Sequence, residues 1–236
     1  MRINTKYRTN EPEIMDDFSL QGEELRDALD KIAKINQLLG GNKLTLQGLK
    51  AILPKGTKNL IKIIDVGCGN GDMLRTIADF GSQNGYNFQL VGIDANAFTI
   101  NHAAKLSSQY QNISYICDDI FTMDPSKLIC EIVVCTLTLH HFKDDEIVEI
   151  LSVFKKSAKL GIVINDLQRS AMAYRLFQLL CVIFGLNRMS REDGLVSILR
   201  GFKKEELIAF SEKLNFKKYS IDWKWAFRYQ WIIQNI

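Results

Sequence analysis

Ile63-Ile64-Asp65-Val66-Gly67-Cys68-Gly69-Asn70-Gly71-Asp72 decides the fold of this chain. An apolar, β-branched run ends at an acid and passes at once into three alternating glycines, after which helical spacing begins. Glycines at 67, 69 and 71 let the backbone turn sharply and approach a ligand where a Cβ would clash. In dinucleotide sites the third glycine falls three residues after the second, and a pyrophosphate rests on the helix N-terminus. Here it falls two after. Asp65 beside that helix start repels a phosphate and suits a ligand bearing an ammonium and a sulfonium. The cofactor expected is therefore S-adenosyl-L-methionine rather than NAD or FAD. The alternative is a tight strand-to-helix turn that binds nothing.

Outward from this loop, short apolar runs alternate with helical stretches. Strands are expected at Ile61–Val66, Gln89–Asp94, Ser114–Cys117, Ile132–Thr136 and Gly161–Asn165, each rich in Ile and Val, as strands covered on both faces are. Helices are expected at Gly71–Ser82, Ala95–Gln109 and Asp144–Ser157. This repetition predicts a doubly wound α/β sheet with right-handed crossovers. Upstream, Leu25, Ala28, Leu29, Ile32, Ala33, Ile35, Leu38 and Leu39 make one stripe of a helix over Glu23–Leu39, which Gly40 and Gly41 stop. A second helix is expected over Thr45–Leu53. Beyond Asp166 lie the apolar Tyr174–Leu186, a charged turn through Arg188, Arg191, Glu192 and Asp193, and a helix at Lys203–Leu214. Strands at Lys218–Lys224 and Phe227–Ile233, joined by a short link, suggest an antiparallel edge hairpin.

Two further acids share the carboxyl edge of the sheet with Asp65, where open α/β sheets bind ligands. Asp94 ends the second strand, followed by Ala95, and can accept from both ribose hydroxyls; its alternative role is a helix N-cap. Cys117-Asp118-Asp119-Ile120-Phe121 ends the third strand. An acid there can accept from an adenine amine while Ile120 or Phe121 packs on the ring. Asp119 is preferred and Asp118 stays open.

The chain has 236 residues and a net charge of +3, too little excess to indicate a protein held by phosphate contacts. Its five cysteines form no C-x-x-C pair and stand beside no histidine at metal-ligand spacing, so a reduced, cytoplasmic setting without a metal site is expected. No stretch has the length and apolarity of a signal peptide or a membrane span.

The motif Asp65-Val66-Gly67-Cys68-Gly69-Asn70-Gly71, with Asp94 and Asp119-Ile120, resembles the class I S-adenosylmethionine-dependent methyltransferases over Leu60–Asp166 and again over the closing hairpin. The resemblance implies a Rossmann-like seven-stranded sheet of order 3-2-1-4-5-7-6 with one antiparallel strand. It also implies cofactor contacts at Asp65, Gly67, Cys68, Gly69, Gly71, Asp94, Ala95, Asp118, Asp119, Ile120 and Thr136. Thr136-Leu137-Thr138-Leu139-His140-His141-Phe142-Lys143-Asp144 is similar to the small-molecule enzymes, including the ubiquinone and menaquinone type. Glu13-Ile14-Met15-Asp16-Asp17 and Leu38-Leu39-Gly40-Gly41 resemble a bacterial subgroup of polyketide or phenolic pathways. On that reading residues 1–59 are a helical cap, 60–236 the cofactor-binding domain, and 167–201 a lid inserted in it.

Cys135-Thr136-Leu137-Thr138 stands where enzymes methylating exocyclic amines carry an Asn-Pro-Pro-Tyr-like motif. No Pro-Cys dipeptide offers the thiol of cytosine C5 methylation. Methyl transfer from a sulfonium is an in-line displacement that needs orientation and dryness, and a base only for a hydroxyl or carbon acceptor. His141, His140 and Asp166 are the catalytic candidates, with His141 preferred, because a neutral imidazole suits a phenolic proton. His102 reads as structural. Met15, Phe18, Met172, Tyr174, Phe177 and Trp223 suggest an apolar or aromatic small acceptor, and Arg169, Arg175 or Arg200 a partner for an acidic group. The expected protein is a monomer or homodimer that binds no nucleic acid. An RNA or protein methyltransferase and a non-catalytic cofactor-binding or scaffold protein remain the alternatives.

Overall fold

The computed structural model describes residues 3–235, so Met1, Arg2 and Ile236, at the ends of the expected segments 1–59 and 60–236, lie outside it. Strands β1 (Leu60–Val66), β2 (Asn87–Asp94), β3 (Ile113–Cys117), β4 (Cys130–Thr136) and β5 (Ala158–Leu167) are parallel. Strands β6 (Tyr219–Lys224) and β7 (Arg228–Gln234) form a hairpin, and β7 runs antiparallel to β5. The sheet order is β3-β2-β1-β4-β5-β7-β6, as the resemblance implied.

The helices are α1 (Glu23–Leu38), α2 (Gly41–Ile52), α3 (Asp72–Asn84), α4 (Ala97–Leu106), α5 (Asp144–Ser157), α6 (Ala171–Ile183), α7 (Arg188–Arg200) and α8 (Lys204–Lys213). Alternation of side chains along the strands divides the core between two faces. Ile63, Leu90, Ile132, Val134 and Val163 pack with Leu49 of α2 and with Leu74 and Ile77 of α3. Ile64, Val91, Val133 and Ile162 pack with Leu151 and Phe154 of α5, Leu207 and Phe210 of α8, and Trp231 of β7. Each fully buried aliphatic side chain here contributes about 1.5–3 kcal/mol, which fixes the sheet and so the edge that carries the site.

Several boundaries differ from expectation for local reasons. Gly40 alone breaks the chain, at φ +80°, while Gly41 is already the first residue of α2. The expected charged turn at 188–193 is the first half of α7, because Asn187 caps it through Ser190 N at 2.8 Å while Met189 and Ile198 turn inward. Asn96, accepting from Thr99 N at 2.9 Å, sets the start of α4 and leaves Ala95 outside the helix. Asp166 belongs to β5 itself, since β7 keeps pairing as far as Leu167–Arg228. Phe227, at φ +54°, belongs to the hairpin turn.

The N-terminal residues, with a 3-10 turn at Ile14–Asp16, run as a strap over the carboxyl edge of β4 and β5. Asp193 of α7 accepts from Ile14 N at 2.6 Å and Met15 N at 2.9 Å, and Thr9 N donates to Leu199 O at 3.3 Å. Leu25 and Ala28 of α1 bury against Met189 of α7, with Ile14, Met15, Leu20 and Leu29 around them. The strap and α1 thus pack on α7 above the sheet edge, whereas α2 packs on the face of the sheet.

Candidate active site

A cavity of about 1170 Å³ opens along the carboxyl edge of the sheet. Single-ligand pockets run to roughly 1,000 Å³, so this one has room for a nucleoside cofactor and a second small molecule together. Its first wall is the glycine loop. Gly67 N and Cys68 N donate to Ile93 O at 2.8 and 3.1 Å, which ties the loop to β2. Gly67 has φ +69°, and a Cβ on it would drive into the side chain of Thr138.

Asp65 is fully enclosed, and its Oδ1 has no hydrogen-bond partner. Burial first, then the charges of Asp72 and Asp94, push its carboxyl well above the usual range. A ligand ammonium would satisfy that oxygen and draw the carboxyl back to its charged form. The loop and its orphaned acid therefore fit the amino-acid end of S-adenosylmethionine.

Asp94 accepts from Gly69 N at 3.2 Å through Oδ2 and from Asn96 N at 3.0 Å through Oδ1. It supports both the loop and the turn after β2, while the cap of α4 is Asn96. Burial raises its carboxyl, and these two backbone donors oppose the rise. Asp118 spends Oδ1 on Asp119 N at 3.0 Å and Oδ2 on Lys127 Nζ at 3.4 Å, whereas Asp119 spends only Oδ1, on Phe121 N at 3.0 Å. Asp119 thus keeps a free oxygen. Both acids, Ala95, Cys68, Gly69, Ile120 and Thr136 line the cavity. Gly71 does not; a Cβ there would meet the Tyr115 hydroxyl, so its task is to start α3.

The second wall is polar. Leu137, at φ +54°, turns the chain out of β4 into a 3-10 turn, Leu139–His141. His140 is buried, its Nδ1 paired with Asp166 Oδ1 at 2.7 Å and its Nε2 without a partner. Burial raises the carboxyl of Asp166, but the charge of His140 and its hydrogen bond bring it below the usual range on balance. His141, partly exposed to the cavity, places Nδ1 on Asp16 Oδ1 at 2.7 Å. Its Nε2 has no partner among the described residues. Asp16 is pulled far down despite its burial by hydrogen bonds from His141 and Arg200. Glu13, under 5% exposed, is pushed up to about 7 by burial, against the charge of His141, the Ser197 hydroxyl and the charge of Arg200.

Glu13, His140 and His141 offer donors within 4.8 Å of one another, a spacing a metal ion tolerates. Arg200 stands beside them, its Nη1 2.6 Å from Asp16 Oδ2 and 3.7 Å from Glu13 Oε1. Arg8 braces the same turn, donating to His140 O at 2.9 Å, Phe142 O at 2.8 Å and Asp144 Oδ1 at 2.7 Å.

Glu13, Asp16 and Arg8 were not expected at the site: no spacing ties a polar N-terminal segment to histidines so far along the chain. Arg169 and Arg200, expected as acceptor partners, are engaged by Glu206 and Asp16, and Arg175 is exposed on α6. Met15, Phe18 and Phe177 line the cavity, but Met172, Tyr174 and Trp223 do not, because Trp225 and Phe227 of the hairpin turn take that place. His102 pairs with Asp30 at 2.8 Å, joining α4 to α1. Cys135 is buried in β4, its thiol raised well above the usual range by burial.

Residues 63–161 match the family model described as a methyltransferase domain. No curated protein sequence matches the chain significantly. Among solved structures, the plantazolicin methyltransferase BpumL in complex with SAH is 17% identical, covering 88% of this chain and 89% of that one, with a TM-score of 0.66. Magnesium protoporphyrin IX methyltransferase from Synechocystis PCC 6803 with bound SAH is 15% identical, covering 83% and 82%, at 0.55. The CurJ carbon methyltransferase is 16% identical, covering 81% and 54%, at 0.57. At such identities the likeness carries the fold.

Proposed function

We propose, from the premise that the chain is an S-adenosylmethionine-dependent methyltransferase, that it methylates oxygen or carbon of a small aromatic acceptor of phenolic or quinone-like character. The observation that carries this reading is the His141–Asp16 pair. An imidazole oriented by a carboxylate on Nδ1, with Nε2 left toward a mainly apolar cavity, is what removing a hydroxyl proton requires.

Bound S-adenosylmethionine supplies a methyl group already activated on a sulfonium. The chain's part is holding, orienting and drying. In this reading Asp65 and the loop of Gly67, Cys68 and Gly69 hold the amino-acid end. Asp94 and Ala95 hold the ribose, and Asp119 or Asp118 with Ile120 holds the adenine. Thr136 lies beneath the reacting end. With the cofactor bound, its sulfonium would supply the leaving group, and His141 Nε2 would take the acceptor's proton. Asp16 stabilises the imidazolium. Asp166 and His140, enclosed behind the same turn, position it.

Leu176, Leu179, Trp225 and Phe18 line the cavity and are exposed, so they form its mouth. An apolar mouth between the strap, α6 and the hairpin turn suits a small molecule better than a charged polymer. The test is S-adenosylhomocysteine release from a panel of phenols, hydroxyquinones, amines and an unmodified RNA. Turnover confined to amines or RNA would sink the reading. Absence of S-adenosylhomocysteine binding by calorimetry would sink its premise.

A further inference from the structure

Three arginines are buried among the described residues, and two of them meet a carboxylate. Arg169 holds Glu206 at 2.6 Å, and Arg200 holds Asp16 at 2.6 Å. Arg228, 3% exposed, does not. Its Nη1 donates to the neutral Asn36 Oδ1 at 2.7 Å, its Nε is buried without a partner, and Nη2 has none among the described residues. The acid whose charge it feels is Asp166, whose oxygens are already taken by His140 and Leu167 N. Burial pulls this guanidinium down to about 10. A cation enclosed without a counter-ion is unfavourable, and an anionic ligand would offset that cost.

Position says which ligand. Arg228 opens β7 opposite Leu167 and lines the same cavity as Asp65 and His141. Since β7 lies three strands from β1, it stands about 14 Å from the glycine loop at roughly 4.8 Å per strand, beyond β4 and its histidine turn. That is the acceptor's end of the cavity. A Cβ on Gly41 would come 2.8 Å from Arg228 Nη1, so the guanidinium also stands beside the first turn of α2, whose N-cap Gly40 has no side-chain oxygen to offer. Helix dipole and guanidinium therefore call for the same sign of charge. Asn36 is fixed by Asn42, and Asn42 by Asp72 and Thr76, which keeps the fork in one orientation.

We propose that Arg228 receives a carboxylate of the acceptor at Nη2, with Nε beside it, so that the substrate class is an apolar aromatic acid. The proposal rests on the methyl-transfer reading above and names the substrate class of that site. It replaces the arginines expected from the sequence, all of which are engaged or exposed.

Full-length protein, with and without saturating S-adenosylhomocysteine, is titrated calorimetrically with benzoate, 4-hydroxybenzoate and decanoate, and with the primary amide of each. The expected wild-type preference for acid over amide is about tenfold or more for at least one pair. Arg228→Gln should bring that ratio to near unity while leaving S-adenosylhomocysteine affinity intact, and Arg228→Lys should leave an intermediate ratio. Ligand-free Arg228→Gln should melt no lower than wild type, because an unpaired buried charge has been removed; a merely structural arginine would lower the melting point and leave the ratio alone. Equal binding of acids and amides by the wild type overturns the proposal even if the Gln variant fails to fold. So does a loss of S-adenosylhomocysteine affinity in Arg228→Gln with no change in the ratio, which assigns the cation to the cofactor's own carboxylate. Wild type that binds acids selectively but not S-adenosylhomocysteine would remove the methyl-transfer reading instead.

Discussion

On the proposed reading the proton chemistry rests on His141 and Asp16, with Glu13 buried beside them. His141→Ala should lower the turnover number about a hundredfold or more on a hydroxyl acceptor, with S-adenosylhomocysteine affinity unchanged by calorimetry. Asp16→Asn keeps the shape and removes the charge that stabilises the imidazolium, so its loss should appear in turnover rather than in KM. Glu13 allows a test on stability alone. Its carboxyl is pushed from the ordinary 4.5 up to about 7 in the folded chain, so between those values the native state holds a proton that the unfolded state has lost. That proton's stabilisation is present in full at low pH and is lost as pH rises through about 7, a span worth about 3 kcal/mol. Glu13→Gln removes the dependence, since Gln can still accept from Ser197. The variant's gain in melting temperature over wild type should therefore be larger at pH 8.5 than at pH 5.5; an equal gap at both would refute the assignment.

At the scale of elements, Arg8 joins the strap to the histidine turn through two hydrogen bonds, to His140 O and Phe142 O, and to α5 through Asp144. Arg8→Ala should loosen Leu139–His141 and lower turnover by about tenfold, the order of two lost charge-assisted bonds of which only part bears on orientation. Cofactor affinity should stay, and a parallel fall in S-adenosylhomocysteine binding would show the strap to be part of that site too. The parallel strands and the glycine loop were legible because their signals are local: β-branched runs at Ile61–Val66 and Gln89–Asp94, and glycines two apart at a strand end. Asp65 and Asp94 follow from their place at strand ends. Asp16 and Glu13 carry no such signal, because their partners are chosen by tertiary packing and not by spacing. Arg228 was hidden for a related reason. One residue of an edge hairpin looks like any other surface cation until the sheet order brings it beside α2. The charged stretch at Arg188–Asp193 misled because Arg188, Arg191 and Glu192 mark the outer face of α7, while Met189, Ile198 and the buried Asp193 hold the inner one.

The whole molecule divides along its sheet. On the reading proposed above the β1–β2–β3 side would hold the nucleoside, and the β4–β5–β7 side carries the histidines and Arg228, under a cover built from the N-terminal strap, α1, α6 and α7. Ligand linkage should reflect the first half by itself: S-adenosylhomocysteine at a hundred times its Kd should add about 2.7 kcal/mol of stability, and so raise the melting point of a chain this size by about 5–10 °C. Asp94→Ala should remove most of that rise, whereas His141→Ala should keep it. The strap has a consequence in time as well as space. His141 lies 125 positions after Asp16, Asp193 lies 179 after Ile14, and Arg200 lies 184 after Asp16. Loop closure over such separations is entropically costly, so these contacts are slow to form compared with local ones. The glycine cradle and the acids beside it lie within one stretch, Asp65–Asp119, whereas the anchors of the strap, Asp193 and Arg200, lie in α7. On the proposed reading the cofactor site is assembled from one continuous segment, while the acceptor site depends on joining segments far apart in the chain.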